Sequence, residues 1–227
     1  MRGAPAFFAL SLVACGSSNH PAADANGGDA VPDAASCPKM LLVGGPDVVA
    51  QGWTVIMPQQ PYMLTYGSDY AQLQTSTNAG AKMGGQLLLS YPGAVETGKP
   101  FKLQVVMLVE SVNAHNPLDS AAAILGSFTT PPFGSTTDRS QMIYLDPGTI
   151  GWADETGAFP FSVIDSAYHT YELSVDAAGA ATVTVDGVQA LTRAGFTTNG
   201  TIAIGDQTNE ANIDSTLRIR SVTRLCL

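Results

Sequence analysis

From Tyr171 to Leu191 the chain alternates apolar and polar residues in short runs, each closed by a turn. In Tyr171-Glu172-Leu173-Ser174-Val175-Asp176, the side chains of Tyr171, Leu173 and Val175 point one way and those of Glu172 and Ser174 the other. A period of two buries one face of a strand, whereas a helix needs apolar residues at three- and four-residue spacings. A turn over 177–180 follows, with Gly179 free to take positive φ, and then Thr182-Val183-Thr184-Val185. Asp186-Gly187 is a dipeptide favoured in the type I′ hairpin, where both turn residues need φ > 0, and Val188 to Leu191 runs back. Ile202 to Gly205 and Leu217 to Val222 supply two more strands, the last with Arg218 and Arg220 toward solvent.

Upstream, Lys102 to Val109 is apolar on both faces in its second half, as for a central strand covered on both sides. Gln86 to Tyr91 and Gln141 to Leu145 read as further strands. No long stretch carries a 3.6-residue apolar period, only 13% of residues are charged, and 23 Gly and 14 Pro punctuate the runs. Many short strands with turns between them predict an all-β, antiparallel two-sheet sandwich.

The first residues have a different character. Arg2 precedes the small and apolar run Ala4 to Ala14, which has the length of a secretory signal and is too short to span a bilayer as a helix. Leu12-Val13-Ala14-Cys15, with Gly16 after it, resembles the lipobox of bacterial lipoproteins. That resemblance implies a signal peptide over 1–14, diacylglycerol on the Cys15 thiol and an acylated Cys15 amine. Each buried methylene contributes about 0.8 kcal/mol, so two or more chains hold where one is marginal. Gly16 is not the aspartate that commonly signals inner-membrane retention, which implies an outer-membrane or cell-surface address. An ordinary secretory signal with an incidental cysteine is the alternative.

Residues 16–36 are Ala, Asp, Gly, Pro, Ser and Asn, with His20, a single valine and no aromatic. Such a segment cannot bury enough apolar surface to offset its ordering entropy, so 15–36 reads as a lipidated cysteine and a disordered tether. Cys37 and Cys226 then bracket the domain at 37–227. An even pair in an exported protein reads as a disulfide, and two free buried thiols are the alternative. The bridge closes a loop of roughly 190 residues, for which the chain-entropy model gives on the order of 5 kcal/mol.

The run YHTYELSVDAAGAATVTVDGVQALT, then TIAIGD, then a closing strand, resembles the concanavalin A-like lectin/glucanase superfamily, particularly its laminin-G-like members. Tyr168 to Tyr171, Val183 to Gly187 and Ile202 to Gly205 carry the likeness. The resemblance implies a jelly roll whose first and last strands lie side by side, as a Cys37–Cys226 bridge requires. It also makes His169 a packing and hydrogen-bonding residue. Its motifs specify strand and turn geometry, not activity.

Catalytic signatures are thin. The E-x-D-x-x-E strand of the glucanase members is missing, and Glu172 and Asp176 share a face but stand too far apart for a retaining pair. Asp154 and Glu155 are adjacent and diverge if extended. No G-x-S-x-G elbow accompanies the three histidines, of which His115 lies in a polar loop. For a metal, calcium is the best reading, with Asp206 and Asn209 offering hard oxygen ligands in a loop; laminin-G-like domains often hold one calcium. Solvated turn carboxylates are the alternative, since calcium needs about six oxygens and no EF-hand spacing is present.

For sugar recognition, an exposed ring beside polar groups is the usual device. Trp152, with Asp154 as polar partner and Tyr144 upstream, has that neighbourhood; Trp53, Tyr66 and Tyr70 come second. A core tryptophan packed on a curved sheet is the competing reading of Trp152. The net charge of −9 argues against nucleic acid or an anionic membrane surface as a direct partner. The sequence therefore reads as a lipid-anchored, non-catalytic lectin-like domain that binds carbohydrate. A protein-binding adhesion module and a hydrolase with an unrecognised site are the alternatives. Cys15→Ser is expected to release the protein from the membrane fraction or leave it unprocessed. Undiminished, detergent-dependent membrane association of a processed variant refutes the anchor.

Overall fold

The computed structural model describes residues 37–56, 63–75, 86–129, 133–210 and 212–227. The leader, Cys15 and the tether lie outside the described residues. Strands dominate what is described: β1 (Lys39–Val43), β2 (Thr54–Ile56), β3 (Met63–Tyr66), β4 (Ala71–Gln74), β5 (Leu87–Tyr91), β6 (Phe101–Val112) and β7 (Ala123–Leu125). A short helix, α1 (Thr136–Ser140), precedes β8 (Ile143–Asp146), β9 (Thr149–Trp152), β10 (Ala158–Pro160), β11 (His169–Val175), β12 (Ala181–Val185), β13 (Val188–Arg193), β14 (Ile202–Asp206) and β15 (Ser215–Leu225).

They form two antiparallel sheets. One runs β13-β12-β11-β6-β15-β4-β3, with β1 also pairing to β15; the other runs β10-β9-β8-β7-β14-β5-β2. The all-β jelly-roll sandwich expected from the sequence is the fold observed. The alternating runs behave as their period requires: Tyr171, Leu173 and Val175 of β11 and Val183 and Val185 of β12 are buried in the shared core, and Glu172 and Ser174 are not. At the β12–β13 turn Asp186 has φ 48° and Gly187 φ 79°, both positive as a type I′ turn demands.

The expectation that the second half of β6 is covered on both faces holds only over Met107, Leu108 and Val109, which are all buried. Val106, one position earlier, is half-buried, because the outer face of its sheet meets water. The second sheet is the one covered on both sides. Leu87, Leu89, Ile124, Ile143, Ile202 and Ile204 face the main core, while Leu88, Ala123, Leu125, Tyr144 and Ala203 pack outward against Phe128 and Met142. The segment that follows β7 thus lies across that sheet's outer surface. Near-continuous apolar strands such as Leu87-Leu88-Leu89 are what such double burial demands.

The first and last strands are neighbours, with Lys39 opposite Arg224. Their extension brings Cys37 and Cys226 to a Cα separation of 5.4 Å, where they are bridged. The pairing expected from the cysteine count is therefore present. Replacing both cysteines by serine is expected to cost about 2–5 kcal/mol, measured by urea unfolding. Non-reducing mass spectrometry should show one peptide pair joining them, and two alkylatable thiols in the native exported protein would contradict it.

Candidate functional site

Where β6 ends, the loop 113–119 turns across the β8–β9 hairpin, and a dense polar network forms. His115 lies between two carboxylates: Nδ1 meets Asp146 at 2.8 Å and Nε2 meets Glu155 at 2.7 Å. Its ring stacks on Tyr144 at 3.6 Å between centroids, with the planes 16° apart. The Tyr144 ring in turn lies over Gly151, its cross-strand partner, where an added Cβ would come within 2.5 Å of it. Only glycine admits the ring at that position.

α1 ties this network to its surroundings. Ser135 and Asp138 form a capping box, and the buried Asp138 also accepts from the Thr129 backbone N–H at 2.8 Å. Burial would raise the Asp138 carboxyl, but its hydrogen bonds outweigh that and hold it below the usual carboxylate range. The next residue, Arg139, donates to the Leu118 carbonyl at 2.8 Å and to Asp119 at 2.6 Å. From β13, Arg193 donates to the Ser140 carbonyl and to Asp154, and lies 5.1 Å above the Trp152 ring. Asp154 is lowered despite partial burial, through its bonds from Thr156 and Arg193.

A second histidine is held in the same way. His169 meets Asp186 at 2.7 Å and Asp165 at 2.9 Å, and it is buried, as the packing role implied for it requires. Among the described residues, four non-glycine residues take positive φ: Leu118, Glu155, Ser166 and Asp186. All four belong to the segments that carry these two clamps. Left-handed backbone at such residues costs of order 1 kcal/mol or more, and it persists where surrounding contacts over-determine it.

The structure corrects the expected ring platform. Trp152 is fully buried in the main core, with Phe196 at 6.2 Å and its indole N–H donated to the Thr192 carbonyl across the sandwich. Tyr144 is also buried, beneath His115. Neither presents a free face to a sugar, because both inward and outward sides of their hairpin are packed. Asp154 remains at the rim, with Glu155, Asp119 and His115 beside it.

Asp206 and Asn209, the residues expected to offer oxygens to calcium, differ in their surroundings. Asp206 is buried, accepting from the Thr75 hydroxyl and from the Thr208 backbone N–H at 3.0 Å, while Asn209 is exposed. Burial pushes the Asp206 carboxyl well above its ordinary range, against those hydrogen bonds. Among the described residues no group of three or more His, Cys, Asp or Glu is arranged to hold a metal. The segment does adjoin the rim, since the Gln207 N–H donates to the Ser120 carbonyl at 2.9 Å.

Both nitrogens of each described histidine meet carboxylates, and no hydroxyl nucleophile is hydrogen-bonded to either ring among the described residues. An imidazole also stands between Asp146 and Glu155, and another between Asp165 and Asp186, where a glycosidase pair would face open space. What the rim offers is hydrogen bonding: exposed and half-exposed carboxylates, held in place by arginines and histidine.

No protein-family model matches the chain, and no curated protein matches its sequence. Solved structures match its fold. The exoplasmic/lumenal domain of VIP36, in its Ca2+/Man3GlcNAc-bound form, aligns with a TM-score of 0.57 at 13% identity, over 85% of this chain and 91% of that one. The conserved carbohydrate esterase vb_24B_21 from Shiga toxin-encoding bacteriophage phi24B gives 0.53 at 15% identity, over 82% and 98%. The carbohydrate recognition domain of Emp47p gives 0.50 at 10%, over 83% and 93%. At these identities the likeness is one of fold: a two-sheet antiparallel sandwich shared with those domains.

The position of Trp152 has a measurable consequence. Trp152→Ala is expected to lower stability by about 3–5 kcal/mol in urea unfolding, the range for truncating a buried large aromatic. A variant as stable as the parent would return Trp152 to the surface.

Proposed function

We propose that the domain is a carbohydrate-binding module carried by a lipid-anchored bacterial surface protein. The observation that carries this reading is the rim built where β6 ends, in which Asp119, Asp154 and Glu155 are gathered and positioned by Arg139, Arg193 and His115. Carboxylates held in fixed orientation accept hydrogen bonds from sugar hydroxyls, and such bonds involving a charged partner are worth about 1.5–3 kcal/mol each. The fold supports it, since VIP36 is bound to mannose-containing ligands and the Emp47p domain is a carbohydrate recognition domain. The lipobox-like Leu12 to Cys15 supports an anchor at Cys15, and the tether then holds the module away from the membrane.

In this reading Asp154 is the ligand-contacting residue, and the buried Trp152 and Tyr144 are the rigid floor of its hairpin. A glycan array with the 37–227 domain tests the reading directly. Asp154→Ala is expected to weaken the best glycan roughly tenfold or more. Arrays with no glycan bound, or an Asp154→Ala variant with unchanged affinity, would refute the module or this placement of its site.

A further inference from the structure

The pair of carboxylates on His115 can be satisfied in full only by the protonated ring. An imidazolium has two N–H donors, whereas neutral imidazole has one donor and one lone pair. When the proton leaves, one carboxylate loses its partner and faces a lone pair. We infer that His115 is a proton-dependent latch on the turn after β9, and that its deprotonation releases Glu155 while Asp146 stays bound.

The two carboxylates are held unequally. Asp146 also accepts the backbone N–H of His115 at 3.0 Å, and its side chain is only 13% exposed. Glu155 is 52% exposed, and among the described residues its carboxylate meets His115 alone. Its backbone sits at φ 62°, a conformation that glutamate adopts only under constraint. Releasing the side chain therefore removes a contact that offsets local strain.

His169 supplies an internal comparison. Asp186 accepts the Thr170 N–H at 2.9 Å, and Asp165 accepts the Ala167 N–H at 2.9 Å. Both of its carboxylates have a backbone donor of their own and remain tied when the ring is neutral. Of the four carboxylates in the two clamps, Glu155 alone lacks one.

The groups facing His115 are Asp146 and Tyr144 from β8 and Glu155 from the turn. Asp119, in the same loop, is bound to Arg139, and Asp154, beside Glu155, is bound to Arg193. Partial burial lowers the tendency of His115 to hold its proton, but the hydrogen bonds and charges of Asp146 and Glu155 outweigh it, and the net direction is upward. For a histidine raised on folding, the latch is fully present below the unfolded value of about 6.5 and is lost as pH rises through the folded value. The latch belongs to the protein itself and holds whether or not the rim takes a sugar.

NMR of the 15N-labelled, full-length Cys15→Ser protein from about pH 5.5 to 9.5 tests it. The His115 ring is expected to titrate above about 6.5, with the amides of Asp154 to Gly157 changing at the same midpoint and Glu155 losing order above it. Glu155→Gln should lower the His115 midpoint and abolish the step in those amides, because a glutamine amide can donate to the lone pair of the neutral ring. The His169 midpoint should stay where it was. Amides at 154–157 that do not follow His115 in the parent protein, or an unchanged His115 midpoint in Glu155→Gln, would overturn the latch.

Discussion

The pairing of β6 with β15 is the contact on which the rest of the structure depends. It runs from Ser215 opposite Val112 to Leu225 opposite Lys102, through two irregularities in register. Every other strand of the larger sheet joins one flank or the other of this pair, apart from those that extend it further: β11 adds to β6, and both β4 and β1 add to β15. Because β6 is twelve residues long, its ends lie about 35–40 Å apart. One end receives the Cys37–Cys226 bridge, and the other opens into the loop that carries His115.

The polar rim at that second end stands on an apolar foundation. Trp152 and Ile150 face the core and Tyr144 faces outward, so one short hairpin is locked from both sides. Above it, arginines and carboxylates pair in partly buried positions, where neither ion is left alone. Breaking one member of such a pair costs more than the pair itself contributes, because the remaining charge keeps its desolvation penalty. The arrangement therefore favours one geometry over alternatives, which is what presentation of a ligand rim requires.

His115 and His169 show how two short polar loops are ordered without a long element of their own. Each ring bridges two carboxylates: 31 and 40 residues away for His115, and 4 and 17 residues away for His169. The conformational cost at Leu118, Glu155, Ser166 and Asp186 is local, whereas the His115 contacts beside Leu118 and Glu155 reach 31 and 40 residues along the chain.

Local pattern was enough for the strands. The two-residue period of Tyr171 to Val175, the Asp186-Gly187 turn and the apolar run at Leu87 to Leu89 each encode a backbone choice through nearest neighbours and one buried face. The cysteine count likewise identified the bridge, because pairing two thiols is a matter of parity once one is assigned elsewhere. Burial at Trp152 was not decided locally: a tryptophan among glycines reads equally as platform or core until the opposing β13 and Phe196 are in place. Nor could His115 be matched to Asp146 and Glu155 from spacing, although three carboxylates flanking one hairpin in a chain of low charge was a signal. Hydrophobic periodicity is written along the chain, residue by residue. The contacts that order the rim join residues 20 to 40 positions apart, and only closure of the sandwich brings them within hydrogen-bonding distance.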